Sequence, residues 1–198
     1  MPREFHKRHK KPVYLFCCED EKSSRIYLNA LKLEYGINIQ TITGRYKNPA
    51  SLRRCLKKEA ATYKKDELKR AYCLFDKDDL SMEQFKHEVE ETNKKFKAAV
   101  SVPCYEYWLL LHLSCTDRSF GSSHECCEKL KDQINRQNNL SLEQLKNRSD
   151  IFDLVGGKEG VRRAIVNAKK YNFALGDDPY TNMHEIIEDM LNESGCKL

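Results

Sequence analysis

Four apolar, strand-like segments alternate with amphipathic helical stretches within the first 102 residues, and this alternation constrains the fold more than any other feature of the chain. Val13–Cys18 is continuously apolar, Ile37–Thr43 places Ile37, Ile39, Thr41 and Thr43 on alternate positions, Ala71–Phe75 is apolar, and Ala98–Val102 is a short fourth run. Between them lie a stripe of Ile26, Tyr27, Ala30, Leu31 and Leu33 ending at Gly36, a stretch opened by Pro49 with Leu52, Cys55, Leu56 and Ala60 on one face, and a third helix starting after Ser81. A β-α-β-α-β-α-β order predicts a parallel sheet with helices on both faces. Lys64 to Arg70 reads as charged connection. Beyond Pro103 no clear strand is visible. Helical patterns cover Tyr105–Leu113, Cys126–Asn135, a Ser141/Gln144 capping box, Lys158–Asn172 and Thr181–Asn192. The expected division is a basic arm over 1–12, an α/β core over 13–102, and a helical part over 103–198 that completes the same domain.

The third apolar run ends abruptly in Asp76-Lys77-Asp78-Asp79. In an open α/β sheet, ligands sit beyond the carboxyl ends of the strands. In an extended segment Asp76 and Asp78 share a side, and two hard oxygen donors so placed suit Mg²⁺ or Mn²⁺. The other reading is an acidic turn opening the next helix, with Ser81 and Gln84 as its capping box. Glu19 stands at the end of the first strand, so parallel topology would bring it to the same edge as Asp76 and Asp78. Carboxylates crowded together repel one another, and a divalent cation resolves the conflict. Against this, Glu19 with Asp20 and Glu21 can also be an acidic cap on the following helix.

Pro103-Cys104-Tyr105-Glu106-Tyr107-Trp108-Leu109-Leu110-Leu111-His112 is the second informative block. Trp108 and His112 share a helical face and Glu106 lies on another. A glutamate among so many apolar residues is costly to bury unless it is paired or holds an ion. Either Glu106 and His112 reach the crevice of Asp76, or Glu106 is exposed and His112 packs in the core.

With 40% apolar and 33% charged residues the chain reads as a soluble globular protein, and no apolar run approaches a membrane span. The basic N-terminus has no apolar segment of secretory type, so the expected compartment is the cytoplasm. Nine cysteines without a Cys-x-x-Cys pair fit small buried hydrophobes in a reducing compartment. The Cys126-Cys127 pair near His124 matches no structural zinc spacing. The net charge of +5 is concentrated at the N-terminus, where Arg3, Lys7, Arg8, Lys10 and Lys11 face one acid, Glu4. Such an arm can contact a phosphate backbone or remain a solvated tail. An EF-hand is excluded because the loop lacks Gly at its sixth position and Glu at its twelfth. Gly156-Gly157-Lys158-Glu159-Gly160 is not a P-loop.

Four ordered segments carry a resemblance. Cys-Glu-Asp-Glu-Lys-Ser-Ser-Arg-Ile-Tyr-Leu, Phe-Asp-Lys-Asp-Asp, Pro-Cys-Tyr-Glu-Tyr-Trp-Leu-Leu-Leu-His and Pro-Tyr-Thr-Asn-Met-His resemble the RloB-like family, a branch of the Toprim superfamily found in bacterial restriction and abortive-infection loci. The resemblance implies a Toprim-like α/β core and Mg²⁺- or Mn²⁺-dependent phosphodiester chemistry. It maps the superfamily's glutamate to Glu19 and its acidic pair to Asp76 and Asp78. The family-specific blocks carry Glu106, His112, Thr181 and His184. Two departures stand out: Asp20 where the family usually has Gly, and Ser23-Ser24 where it usually has Thr-Glu.

The expected function is a metal-dependent nuclease acting on RNA such as tRNA, or else on DNA, as a toxic effector in anti-phage defence. Its metal would be held by Glu19, Asp76 and Asp78, with Glu106, His112 and His184 as further catalytic groups. Lys22 and Lys77 would offset phosphate charge, and Arg3, Lys7, Arg8, Lys10 and Lys11 would supply affinity. Expected partners are nucleic acid and an ATPase or other defence-system sensor. The competing readings are a non-catalytic binding module of a defence complex and a phosphatase-type phosphotransfer enzyme; the latter departs from the dehalogenase-like pattern at Leu80.

Overall fold

The structure, a computed structural model, describes residues 11–19, 22–44, 46, 48–134, 141–171 and 173–196. Arg3, Lys7, Arg8 and Lys10 of the basic arm, and Asp20 and Glu21, lie outside the described residues. The first half follows the expected alternation: β1 (Val13–Cys18), α1 (Ser23–Tyr35), β2 (Ile39–Thr43), α2 (Pro49–Ala60), β3 (Leu68–Asp76), α3 (Met82–Asn93) and β4 (Lys97–Val102). The second half contains α4 (Glu106–Leu111), α5 (Ser123–Ile134), α6 (Leu142–Lys146), α7 (Ile151–Leu154), α8 (Gly157–Lys170), β5 (Tyr180–Thr181) and α9 (Met183–Glu193). The strands form one α/β sheet in the order β2-β1-β3-β4-β5. The first four are parallel and β5 is antiparallel to β4.

Local chemistry explains the boundaries. Gly36 closes α1 in the left-handed region at φ +61°, which glycine adopts without a Cβ penalty. The Asn48 side chain accepts from the Ser51 backbone N–H at 2.9 Å while Pro49 begins α2. Ser81 with Gln84, and Ser141 with Gln144, form the capping boxes read from the sequence.

β1 is buried along its whole length because the sheet is covered on both faces. Tyr14, Phe16 and Cys18 join one apolar cluster, shared with α1 and the helical second half. Val13, Leu15 and Cys17 join the other, under α2 and α3.

Two expectations are corrected. β3 starts at Leu68, so Lys69 and Arg70 belong to a strand and not to a connection. Arg70 is tolerated there because it pairs with Glu193 and, at 3.5 Å, with Asp189 on α9. The second correction is β5, only two residues long, which no periodicity announces. Ser101 pairs with Thr181 and Val102 with Tyr180, and then the Asn182 side chain takes over the ladder. Its Oδ1 accepts from the Val100 N–H at 2.8 Å and its Nδ2 donates to the Ala98 carbonyl at 2.9 Å. Among the described residues no helix is long and apolar enough to cross a membrane.

Candidate active site

Parallel pairing of β1 with β3 brings their carboxyl ends to one edge. The Glu19 N–H donates to the Leu74 carbonyl at 3.0 Å, which anchors Glu19 beside the end of β3, where Asp76 is the last residue. The next residues do not continue as a strand. The Lys77 and Asp78 N–H groups donate to the Ser101 and Pro103 carbonyls at 3.1 and 3.3 Å, and Asp78 turns with φ +38°. Asp76 and Asp78 therefore meet through a tight turn, not through the period of two expected from an extended segment. The Ser123 hydroxyl, at the start of α5, donates to Asp78 Oδ1 at 2.8 Å and fixes that turn.

These residues open onto a cavity of about 260 Å³ lined by Glu19, Asp76, Asp78, Cys104, Tyr105, Glu106, Ser123 and Lys146. Cavities of about 470 Å³ along α3 and about 350 Å³ at the opposite end of β3 and β4 are larger. Neither gathers carboxylates from separate strand ends.

Asp76 is the electrostatic centre of the site. Burial, then the neighbouring Glu106, Asp78 and Glu19 carboxylates, push its carboxyl well above the ordinary range, against a hydrogen bond from the Tyr105 backbone N–H. Its Oδ1 is sealed from solvent and has no hydrogen-bond partner among the described residues. A buried oxygen without a hydrogen-bond partner, on a carboxyl crowded by three others, suits a metal ligand.

Glu106 is 4% exposed. It accepts from the Ser23 hydroxyl at 3.0 Å and from Lys146 Nζ at 3.3 Å, both at Oε1. Burial draws the Lys146 ammonium down, but Glu106 together with Cys127 and Cys104 outweighs it and holds the lysine above its ordinary value. Cys104, Glu106 and Cys127 form a second donor group, with one ligand atom from each within 4.8 Å of the others.

Two histidines expected at the crevice do not line it. His112 is fully buried. Its Nε2 lies 2.9 Å from the Tyr27 hydroxyl and its Nδ1 2.9 Å from the Trp108 carbonyl, so both ring nitrogens are occupied. Burial lowers its pKa to about 3. The reason is geometric, since six residues along a helix carry the chain about 9 Å onward and roughly 240° around the axis. His112 packs edge-on against Tyr27 and Trp108 and under Gly160, where an added Cβ would meet the Val155 carbonyl at 2.2 Å.

His184 sits at the start of α9 with Nδ1 3.1 Å from the Thr181 carbonyl, beside β5 and away from the acidic cavity. Burial lowers its pKa too. Thr181 bonds Ser101 and the Val100 carbonyl, so this block fastens the sheet edge.

The expected cations divide. Lys77 Nζ turns back to the Asp78 carbonyl at 3.3 Å. Lys22 pairs with Glu143 at 3.5 Å, and Lys11 caps α1 through the Gly36 carbonyl at 3.0 Å.

Ser23, Ser123 and Lys146 were not anticipated. Ser23 is the position where the resemblance expects Thr, and its buried hydroxyl supplies a polar contact there. Lys146 and Ser123 come from distant helices and carry no local signal.

A family model described as RloB-like protein matches residues 14–190, while no curated protein and no solved structure matched. The matched span runs from β1 into α9 and includes each residue that lines the acidic cavity, and on that coverage the chain belongs to the RloB-like protein family.

Proposed function

We propose that the chain is a divalent-metal-dependent nuclease of Toprim type that hydrolyses phosphodiester bonds in RNA or DNA. The observation that carries this reading is the meeting of Glu19, Asp76 and Asp78 at one sheet edge, with a buried Asp76 oxygen that has no hydrogen-bond partner among the described residues. Three oxygen donors of this kind suit Mg²⁺ or Mn²⁺. Bound there, the ion would polarise a phosphate oxygen and ease deprotonation of an attacking water.

The chain's own residues would do the rest. Ser123 holds the Asp78 turn, the Tyr105 N–H orients Asp76, and Lys146 pairs with Glu106 at the cavity wall. Lys77 lies in the acidic turn, with its Nζ on the Asp78 carbonyl, and would offset phosphate charge there. Family membership supports the further proposal of a toxic effector in anti-phage defence, working with an ATPase or another sensor.

The test is incubation of the purified protein with tRNA, single-stranded RNA and plasmid DNA, with Mg²⁺, with Mn²⁺ or with chelator, followed by sequencing of the cut ends. Metal-dependent cleavage lost in Asp76→Asn is expected. Metal-dependent binding without cleavage of any substrate would sink the nuclease and favour a binding module.

A further inference from the structure

One cysteine lines the acidic cavity and a second stands behind it. Cys104 follows β4 and lines the cavity with Glu106, and Cys127 comes from α5 to lie beside both. All three residues are buried, and one ligand atom from each lies within 4.8 Å of the others. Two sulfurs at ~2.3 Å from a tetrahedral zinc ion stand about 3.8 Å apart, so closing on an ion asks for a contraction of no more than about 1 Å. Packing alone would explain two buried thiols, which behave as small hydrophobes. The carboxylate buried beside them is balanced by Lys146 and bonded by Ser23, and these two contacts hold it in place as a third donor next to the sulfurs.

The surroundings complete such a site. Two thiolates and one carboxylate around a divalent ion leave one net negative charge, and the Lys146 ammonium 3.3 Å from Glu106 offsets it. Ser23 and Lys146 both hold Oε1, so neither contact engages Oε2. Outer-shell contacts of this sort orient a ligating carboxylate.

We propose that Cys104, Cys127 and Glu106 form a three-ligand site for Zn²⁺ or another borderline-soft divalent ion, with the fourth position open to the cavity. Thiolate ligands discriminate against Mg²⁺, so this site is chemically distinct from that of Glu19, Asp76 and Asp78. On binding, two S–H protons pass to solvent as two metal–sulfur bonds form, with no change of oxidation state. The inference does not depend on the chain being a nuclease.

Co²⁺ added to the reduced, metal-stripped wild-type protein tests it without any nucleic acid. One Co²⁺ per chain, a sulfur-to-cobalt charge-transfer band in the near ultraviolet and the visible bands of a tetrahedral ion are expected. Zn²⁺ should bleach them and excess Mg²⁺ should not. Cys104→Ser and Cys127→Ser should each weaken the charge-transfer band, since one sulfur remains, and the double variant should abolish it. Each single change should weaken Zn²⁺ binding by at least the roughly 10–100-fold that losing an outer-shell contact costs. Glu106→Gln should keep that band while shifting the visible ones, and Cys115→Ser should change nothing. Absence of the charge-transfer band in the wild-type protein would overturn the proposal, as would its survival at full intensity in both Cys104→Ser and Cys127→Ser, or at any intensity in the double variant. A chain that gives the cobalt spectrum but cuts nothing would overturn the nuclease alone.

Discussion

Glu106 and His112 stand at the two ends of one short helix, both buried, and their surroundings could hardly differ more. At the first end, Glu106 meets a cation, a hydroxyl, two thiols and the carboxylate of Asp76. At the other, His112 meets a tyrosine hydroxyl, a backbone carbonyl and aromatic faces, and burial keeps it neutral. The difference teaches that burial of an ionisable group says little by itself. What separates a reactive site from a structural one is whether charge is left over. Around His112 every polar atom of the ring has a neutral partner. Around Asp76 and Glu106 the carboxylates lining the cavity outnumber Lys146, and one oxygen has no hydrogen-bond partner among the described residues.

The sharpest way to break this comparison is Asp76→Asn. Cleavage should fall by at least the roughly 10²–10³-fold that losing one preorganised electrostatic contact costs. The same change should make the metal-free protein more resistant to heat, because a repelling carboxylate is removed. The folded-state pKa of Asp76 lies above its unfolded value, so its contribution to stability is present at low pH and is lost as pH rises through the folded pKa. The stability gap between Asp76→Asn and wild type should therefore widen above about pH 4 in chelator and close when Mg²⁺ is added. A wild-type melting temperature indifferent to both pH and metal would place Asp76 outside any cation site.

His112→Ala tests the other end. Loss of the ring volume and of two buried hydrogen bonds should cost about 2–4 kcal/mol in denaturant unfolding, with the cleavage rate per folded molecule unchanged. Because the folded pKa is depressed to about 3, the unfolded chain takes up a proton first as pH falls below about 6.5. Wild type should lose up to about 1.4 kcal/mol per pH unit through that window, and His112→Gln should lack this component. Loss of cleavage in fully folded His112→Ala would erase the contrast between the two ends.

Lys146→Met sharpens the comparison at Glu106. It leaves the buried carboxylate with the Ser23 hydroxyl alone, and a destabilisation of about 1–2 kcal/mol is expected, below that of a fully buried pair because the lysine is partly exposed. A double variant with Glu106→Gln should recover most of the loss. If it recovers none, the two side chains are not coupled.

The smallest effect belongs to the arm. Deleting residues 2–10, which spares the Lys11 cap on Gly36, should raise KM with little change in kcat and flatten the salt dependence of binding by about one unit of slope per lost phosphate contact. Binding unchanged between low and moderate salt would mark the arm as a solvated tail.

Much of the fold was legible because its signals are local. The Gly36 cap, Pro49 opening α2, the Ser81 and Ser141 boxes and the unbroken apolar run of β1 each act within one turn or one strand. The meeting of Glu19 with Asp76 was also readable, since parallel strands send their carboxyl ends to one edge. What escaped depends on partners far away in the chain. Lys69 and Arg70 look like connection until α9 supplies the acids that pair with Arg70. Asp78 looks extended until the Ser101 and Pro103 carbonyls and Ser123 turn it. His112 and Glu106 could not be assigned from the helix pattern, because which side of α4 faces the cavity is set by its packing on α5 and α8.

The Asn182 amide has a consequence beyond holding β5. An outermost strand offers a row of unpaired backbone groups to any passing chain, and proteins usually blunt such a row with charge, proline or a covering element. Here a side-chain amide presents one acceptor and one donor in the place of a peptide unit, to Val100 and Ala98. The row is silenced by imitation: β4 meets a surrogate backbone where a sixth strand, or a neighbouring molecule, would otherwise find a template.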